Sequence, residues 1–350
     1  MSQTLLTSMA EQPAYDGQPA QLIALTNANG MQLVFMDIGA TWLSCEVPVK
    51  GEMRQVLLGV GDMEGFKKQT SFLGATVGRY ANRIANSQFE LNGKSYHLTA
   101  NQAQHCLHGG VQGWSHLRWA IKDQQAQKVV FSMSSPDGDQ GFPGNVEATV
   151  TFTLTDDNQV LIDYTATTDA TTPINLTNHA YFNLMGADSG KDVLQDTLTI
   201  KADSYLPTDN LGIPLQQGLV PVEGTAFDFR HGEKIGACLL QEEQQKLVNG
   251  YDHSYYLGSP SLDTPVATVL SADKAITMNV FTNKPAIQLY TGNWLEGTPS
   301  RTGGHYQNYQ GVALETQYLP DSPNRSDWPH EECWLEPGQT YQFSTIYQFK

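Results

Sequence analysis

Val146-Glu147-Ala148-Thr149-Val150-Thr151-Phe152-Thr153-Leu154 alternates apolar and polar side chains without a break. Successive side chains of a strand point to opposite faces, so this stretch reads as a strand with one face on a core. Asp156-Asp157-Asn158 then turns the chain, and Leu161 to Thr167 supplies the partner strand of a hairpin. Phe89 to Leu98 predicts a second hairpin around Asn92-Gly93, the residue pair suited to a two-residue turn that needs positive φ at both positions. That register sets Phe89 opposite Tyr96, a favourable aromatic cross-strand pair. Further strands are expected at 31–36, 197–202, 276–282, 286–291, 311–318 and 340–349, the last after the turn Glu336-Pro337-Gly338. The best helix pattern is Ala237 to Val248, ending before Asn249-Gly250. With 31 Gly and 17 Pro in 350 residues, many short strands and turns are expected. No linker, repeat or low-complexity tract divides the chain. The expected fold is therefore all-β: one domain, residues 1–350, forming a large, mostly antiparallel β-sandwich with few short helices. A TIM barrel or doubly wound fold would need alternating helix patterns that the sequence lacks.

Composition removes several functions. The net charge is −16, with 20 Lys+Arg against 36 Asp+Glu and no basic run, so a nucleic-acid partner would be repelled. Cys45, Cys106, Cys238 and Cys333 are far apart and form no CxxC pair, which argues against a zinc knuckle. Free buried thiols are the better expectation, with disulfides left open. Met1 to Ala20 lacks the basic start and apolar run of a signal peptide, and no stretch nears the ~20 apolar residues of a membrane span. The expectation is a cytoplasmic protein with no membrane partner. No GxGxxG, phosphate loop or GxSxG elbow is present, which makes nucleotide cofactors and serine hydrolysis poor readings.

Chemistry concentrates in Ile174-Asn175-Leu176-Thr177-Asn178-His179-Ala180-Tyr181-Phe182-Asn183. As a strand it carries Asn175, Thr177, His179, Tyr181 and Asn183 on one face, and Ile174, Leu176, Ala180 and Phe182 on the other. The polar face suits an uncharged ring-shaped ligand, and histidine is the side chain fitted to move protons near neutral pH. In Gly311 to Tyr318, Glu315 shares a face with Gln317 while Val312 and Leu314 point away. A carboxyl held inside such a strand has a raised pKa if poorly solvated, whereas on an edge it is merely a solvated acid. Period two groups Gln288, Tyr290 and Trp294. Arg79 and Arg83, four apart, suggest one buried and one exposed arginine. Arg83 reads as a structural ion pair or as a fork onto neighbouring hydroxyls. His108 precedes Gly109-Gly110, where backbone can approach a ligand closely. His105-Cys106-Leu107-His108 lacks a distant partner set for a metal. Asp252 reads as a turn cap or a hydroxyl-orienting group, and Asp137 to Gly144 as a loop lacking the closing glutamate of a calcium site.

Taken in order, Gly78-Arg79-Tyr80-Ala81-Asn82-Arg83-Ile84-Ala85, Leu107-His108-Gly109-Gly110, Asp137 to Gly144, Thr177 to Leu184, Gly250-Tyr251-Asp252-His253, Gln288 to Asn293 and Leu314-Glu315-Thr316-Gln317 resemble the aldose 1-epimerase (galactose mutarotase) family of bacterial type, from about residue 30 to the C-terminus. The resemblance implies a supersandwich with a shallow cleft and an isomerase that needs no cofactor and no metal. It implies that His179 is the general acid and Glu315 the general base, with Asn82, Arg83, His108, Asp252 and Gln288 contacting the sugar. Cys106 stands where a small polar residue is more usual, which leaves the catalytic assignment intact. The expected ligand is a free monosaccharide such as galactose or glucose, the expected assembly a monomer or homodimer. The rivals are a hexose-6-phosphate 1-epimerase, which would need a basic phosphate pocket, and a non-catalytic sugar-binding protein, which would need no His–Glu pair. A retaining glycosidase is more distant, with only Asp252 and Glu315 to serve as its two carboxylates.

Overall fold

In the computed structural model, which describes residues 3–330 and 333–350, Val146–Leu154 is a strand paired on both edges, with Lys128–Ser135 and Gln159–Thr168. These lie in a nine-stranded sheet ordered Ala120–Gln125, Lys128–Ser135, Val146–Leu154, Gln159–Thr168, Tyr341–Phe349, Thr277–Thr282, Ala267–Leu270, Thr197–Ile200, Glu233–Lys234. A six-stranded sheet runs Tyr181–Phe182, Val312–Gln317, Ala286–Tyr290, Asp252–Tyr256, Ser204–Leu206, Val220–Pro221. A four-stranded sheet holds Leu22–Thr26, Gln32–Met36, Thr41–Val49 and Glu52–Gln55. Neighbouring strands in all three sheets are antiparallel.

The main core holds Ile287, Leu289, Val312 and Leu314 from the six-stranded sheet together with Met278, Val280, Tyr347 and Phe349 from the nine-stranded one. Each such side chain contributes roughly 1.5–3 kcal/mol on burial. Period two does the rest: with Val312 and Leu314 committed to that core, Ala313, Glu315 and Gln317 must face the other way. The polar face of the six-stranded sheet is thus fixed by what its apolar face buries.

The Asn92-Gly93 hairpin forms with φ of 53° and 74° at its two turn positions, and Phe89 stacks on Tyr96 at 5.3 Å between centroids. Among the described residues no disulfide joins the four cysteines, and Cys45, Cys106 and Cys333 are buried.

Three expectations change. The helix expected over 237–248 is only Glu243–Leu247, capped by Glu242 and Gln245, because Leu240 takes a left-handed backbone (φ 59°) that no helix accommodates. Two further helices, Gln3–Glu11 and Met63–Lys68, pack Leu5, Met9, Met63 and Phe66 into one small cluster. Arg79 and Arg83 are both buried. Arg79 clasps the 135–144 loop, its guanidinium donating to the carbonyls of Pro143 and Gly144 and to Ser135 Oγ, which explains that loop without a calcium ion. Among the described residues no helix is long and apolar enough to cross a membrane.

Candidate active site

The 174–183 stretch is not one strand. Thr177–Asn178 pairs with Thr76–Val77, and Tyr181–Phe182 pairs with Val312–Gln317. His179 sits where the chain changes partner. Its N–H donates to Ala75 O (2.8 Å) and its carbonyl accepts from Gly74 N–H (2.9 Å). Both expected faces are buried, and only His179 and Tyr181 of the polar face reach a cavity. Asn175 and Asn183 instead satisfy backbone groups, Asn175 the buried ones of Ala81 and Tyr318, Asn183 the carbonyls of Lys191 and Gln310.

That cavity, of about 250 Å³, is lined by Asn82, Arg83, His108, His179, Asp252 and Glu315 among others. Six of the seven residues expected at the site therefore line one cavity. Gln288 lies behind it: its Nε2 donates to Asp252 Oδ1 (2.6 Å), and its Oε1 accepts from Ser254 Oγ (2.6 Å) and Gln317 Nε2 (3.3 Å). This relay follows from register, since Gln288 stands opposite both Glu315 and Ser254. Arg83 reaches across to Asp252 Oδ2 (3.4 Å) and donates through Nε to Gln102 Oε1 (2.8 Å), so it is an ion pair and part of the wall at once. Gly212 packs on that guanidinium so closely that a Cβ there would lie 2.5 Å from it. Trp294, 65% exposed, stands at the rim, beyond the end of its strand.

Glu315 and His179 meet at the floor, Nε2 to Oε1 3.6 Å, with both side chains almost fully buried. Burial, helped by the Asp252 charge, pushes the Glu315 carboxyl up to about 8. Burial, helped by the Arg83 charge and opposed by Asp252, pushes the His179 imidazole down to about 4. Between those values the pair shares one proton, and the two opposite shifts favour it on Glu315. Desolvation also holds His108 well below the usual histidine range, so it is neutral.

Ligating atoms of His108, His179 and Glu315 lie within 4.8 Å of one another, close enough to suggest a metal. The hydrogen bonds argue otherwise. His108 Nδ1 accepts the Asn82 N–H (3.2 Å), so its proton is on Nε2, and the nitrogen left for the site is a donor rather than a ligand. A donor beside a single-proton acid–base pair suits a hydroxylated ligand.

Sequence reading missed Phe72, Gln102, Gly212 and Tyr290 as parts of the cavity wall. Of these, only Tyr290 carried a signal, through its period-two grouping with Gln288.

An antiparallel β-sandwich with a buried, oppositely shifted His–Glu pair under a polar cavity has the make-up of an acid–base enzyme for small polyhydroxy ligands. Known proteins narrow this. Residues 21–348 match the aldose 1-epimerase family model. The chain is 48% identical over 338 residues to the aldose 1-epimerase of Escherichia coli (96% of this chain, 97% of that one). It is 38% identical over 313 residues to human galactose mutarotase (89% of each). A solved aldose epimerase homologue from C. elegans superposes with a TM-score of 0.86 at 30% identity, covering 95% of this chain and 99% of that one. The chain belongs to the aldose 1-epimerase family, is an epimerase that acts on free sugars, and has the family's mutarotase function.

Proposed function

We propose that this protein interconverts the α and β anomers of free hexoses such as galactose and glucose, with Glu315 as the base and His179 as the acid. Glu315 takes the proton of the C1 hydroxyl while His179, as imidazolium, gives one to the ring oxygen. The C1–O5 bond breaks, the aldehyde turns about C1–C2, and the ring closes with the roles exchanged. One observation carries this reading: the 3.6 Å contact between two buried, oppositely shifted groups at the cavity floor. The working form differs from the resting one only in where a single proton sits. Sugar hydroxyls donating to Glu315 favour its ionised form, and the proton has 3.6 Å to travel to His179 without leaving the cavity. His108 and Arg83 donate to sugar oxygens, Asp252 accepts from a hydroxyl, and Asn82 fixes Arg83 by accepting its N–H (2.9 Å). Gln288 orients Asp252.

The relatives named galactose mutarotase support galactose as a substrate. A 6-phosphate is disfavoured, because among the described residues the only Lys or Arg lining the cavity is Arg83, already paired with Asp252. The rest of the reading is a protein working as one domain over residues 1–350, a monomer or homodimer in the cytoplasm, with no nucleic-acid or membrane partner. Polarimetry on fresh α-galactose, α-glucose and glucose 6-phosphate tests the proposal. Rapid equilibration of the free sugars and little of the phosphate is expected; preference for the phosphate, or binding without turnover, overturns it.

A further inference from the structure

A second cavity, of about 350 Å³, abuts the first and shares Thr70, Phe72, Gln102 and Leu107 with it. Its rim includes the exposed Tyr15, Lys67 and Asn101, so it is open to water. Phe72 is the partition. Its ring lies nearly parallel to the His179 imidazole (5.9 Å, 23°) and edge-on to both His108 (4.7 Å) and His116 (6.3 Å), the latter lining the second cavity. Tyr181 is also near-parallel to His179 (4.9 Å, 30°).

The backbone holds Phe72 there against its own preference. Phe72 takes a left-handed φ of 55°, which a bulky side chain rarely adopts and which persists only where surrounding bonds enforce it. Those bonds are present. The buried Gln69 side-chain oxygen accepts from the N–H groups of Ser71 (2.9 Å) and Leu73 (3.4 Å), and Ala75 N–H closes the turn on Phe72 O (3.0 Å). Gly74 and Ala75, the next residues of the same turn, are the two that grip the His179 backbone. One turn therefore fixes the main chain of His179 and lays a ring on its imidazole.

We propose that Phe72 is a positioning residue for the acid, holding the His179 ring in line and keeping the water of the neighbouring cavity off the His179–Glu315 pair. This rests on the assignment of that pair as acid and base. The groups facing His179 are Glu315, Asp252, Arg83, His108 and the phenols of Tyr181 and Tyr290; beyond Phe72 stand His116 and Lys67. Changing Phe72 alters none of these charges. It alters water access, ring freedom and one patch of the cavity wall.

The test is the pH profile of F72A, F72L and F72Y beside the wild type, with H179N as a control. In F72A, misalignment of the acid lowers kcat by about tenfold to a hundredfold, separately from any rise in KM caused by the lost wall contact. Water reaching the pair also draws the acid limb upward from about 4 and the alkaline limb downward from about 8, narrowing the profile. F72L shows the same in milder form and serves if F72A does not fold. F72Y keeps the ring and keeps the wild-type limbs. Unshifted limbs in F72A and F72L, wild-type kcat in both, or equal narrowing in F72Y overturns the proposal. Wild-type turnover by H179N would instead remove the catalytic pair, a separate failure read in a separate variant.

Discussion

Replacing Glu315 with Gln separates the chemistry of the site from its cost to the fold. The change is nearly isosteric, and burial pushes the removed group up to about 8 from the usual 4.5. At about 1.4 kcal/mol per tenfold in proton affinity, ionising Glu315 in the folded protein costs on the order of 5 kcal/mol. The sign follows from proton counting. At pH below 4.5 the folded and unfolded chains both hold the proton. Between 4.5 and about 8 the unfolded chain releases it while the folded chain keeps it, so stability falls as pH rises, and the loss is complete above about 8. Gln does not titrate. The melting temperature of E315Q, set against that of wild type by calorimetry, should therefore gain steadily from pH 4.5 to about 8 and level off beyond. In polarimetry the same variant should lose about 10²–10⁴ in turnover, a barrier increase of roughly 3–5 kcal/mol. A stabilised but inactive variant is the signature of a group kept for chemistry. A melting difference that is flat with pH, or turnover near wild type, would refute the reasoning.

The pH dependence of kcat/KM should be a broad bell with limbs near about 4 and about 8, since only the singly protonated pair is competent; one limb alone, or a narrow optimum, would contradict this. D252N breaks the 3.4 Å contact with Arg83 and removes a charged acceptor from the cavity, so the KM for galactose should rise tenfold to a hundredfold with a smaller effect on kcat, given about 1.5–3 kcal/mol for hydrogen bonds to charged groups. Outside the cavity lining, Asp196 is buried with Oδ2 unpartnered and is pushed up to about 7 by desolvation. Like Glu315 it releases its proton first in the unfolded chain, so D196N should melt higher than wild type by a margin that grows from pH 4 to about 7 without changing activity.

How much of this was legible in the sequence depends on the kind of information each element carries. Alternation announced Val146–Leu154, Tyr341–Phe349 and Val312–Gln317 within a residue or two, because each buries one face on a core. The Asn92-Gly93 turn fixed its own register. The 174–183 stretch was legible as chemistry and misleading as geometry: its alternation is real, but the chain changes sheets at His179, and no periodicity reports a change of partner. Helix Gln3–Glu11 was missed because its buried stripe is only Leu5 and Met9. The seven site residues came from the resemblance of their motifs to the aldose 1-epimerase family, and the sheet register explains why four of those motifs converge. Asp252, Gln288 and Glu315 lie on adjacent strands, and His179 stands two residues before the strand beside them. Phe72 gave no signal, since its importance lies in a left-handed turn braced by Gln69, and a single sequence does not display backbone conformation.

A crystal structure of E315Q with galactose bound measures the central relation directly. The amide that replaces the Glu315 carboxyl should lie within hydrogen-bonding distance of the C1 hydroxyl and His179 Nε2 within the same distance of the ring oxygen, with the C1–O5 bond between them. A sugar seated with C1 turned away from both groups, or with both groups on its hydroxyl side and nothing at O5, would contradict the account.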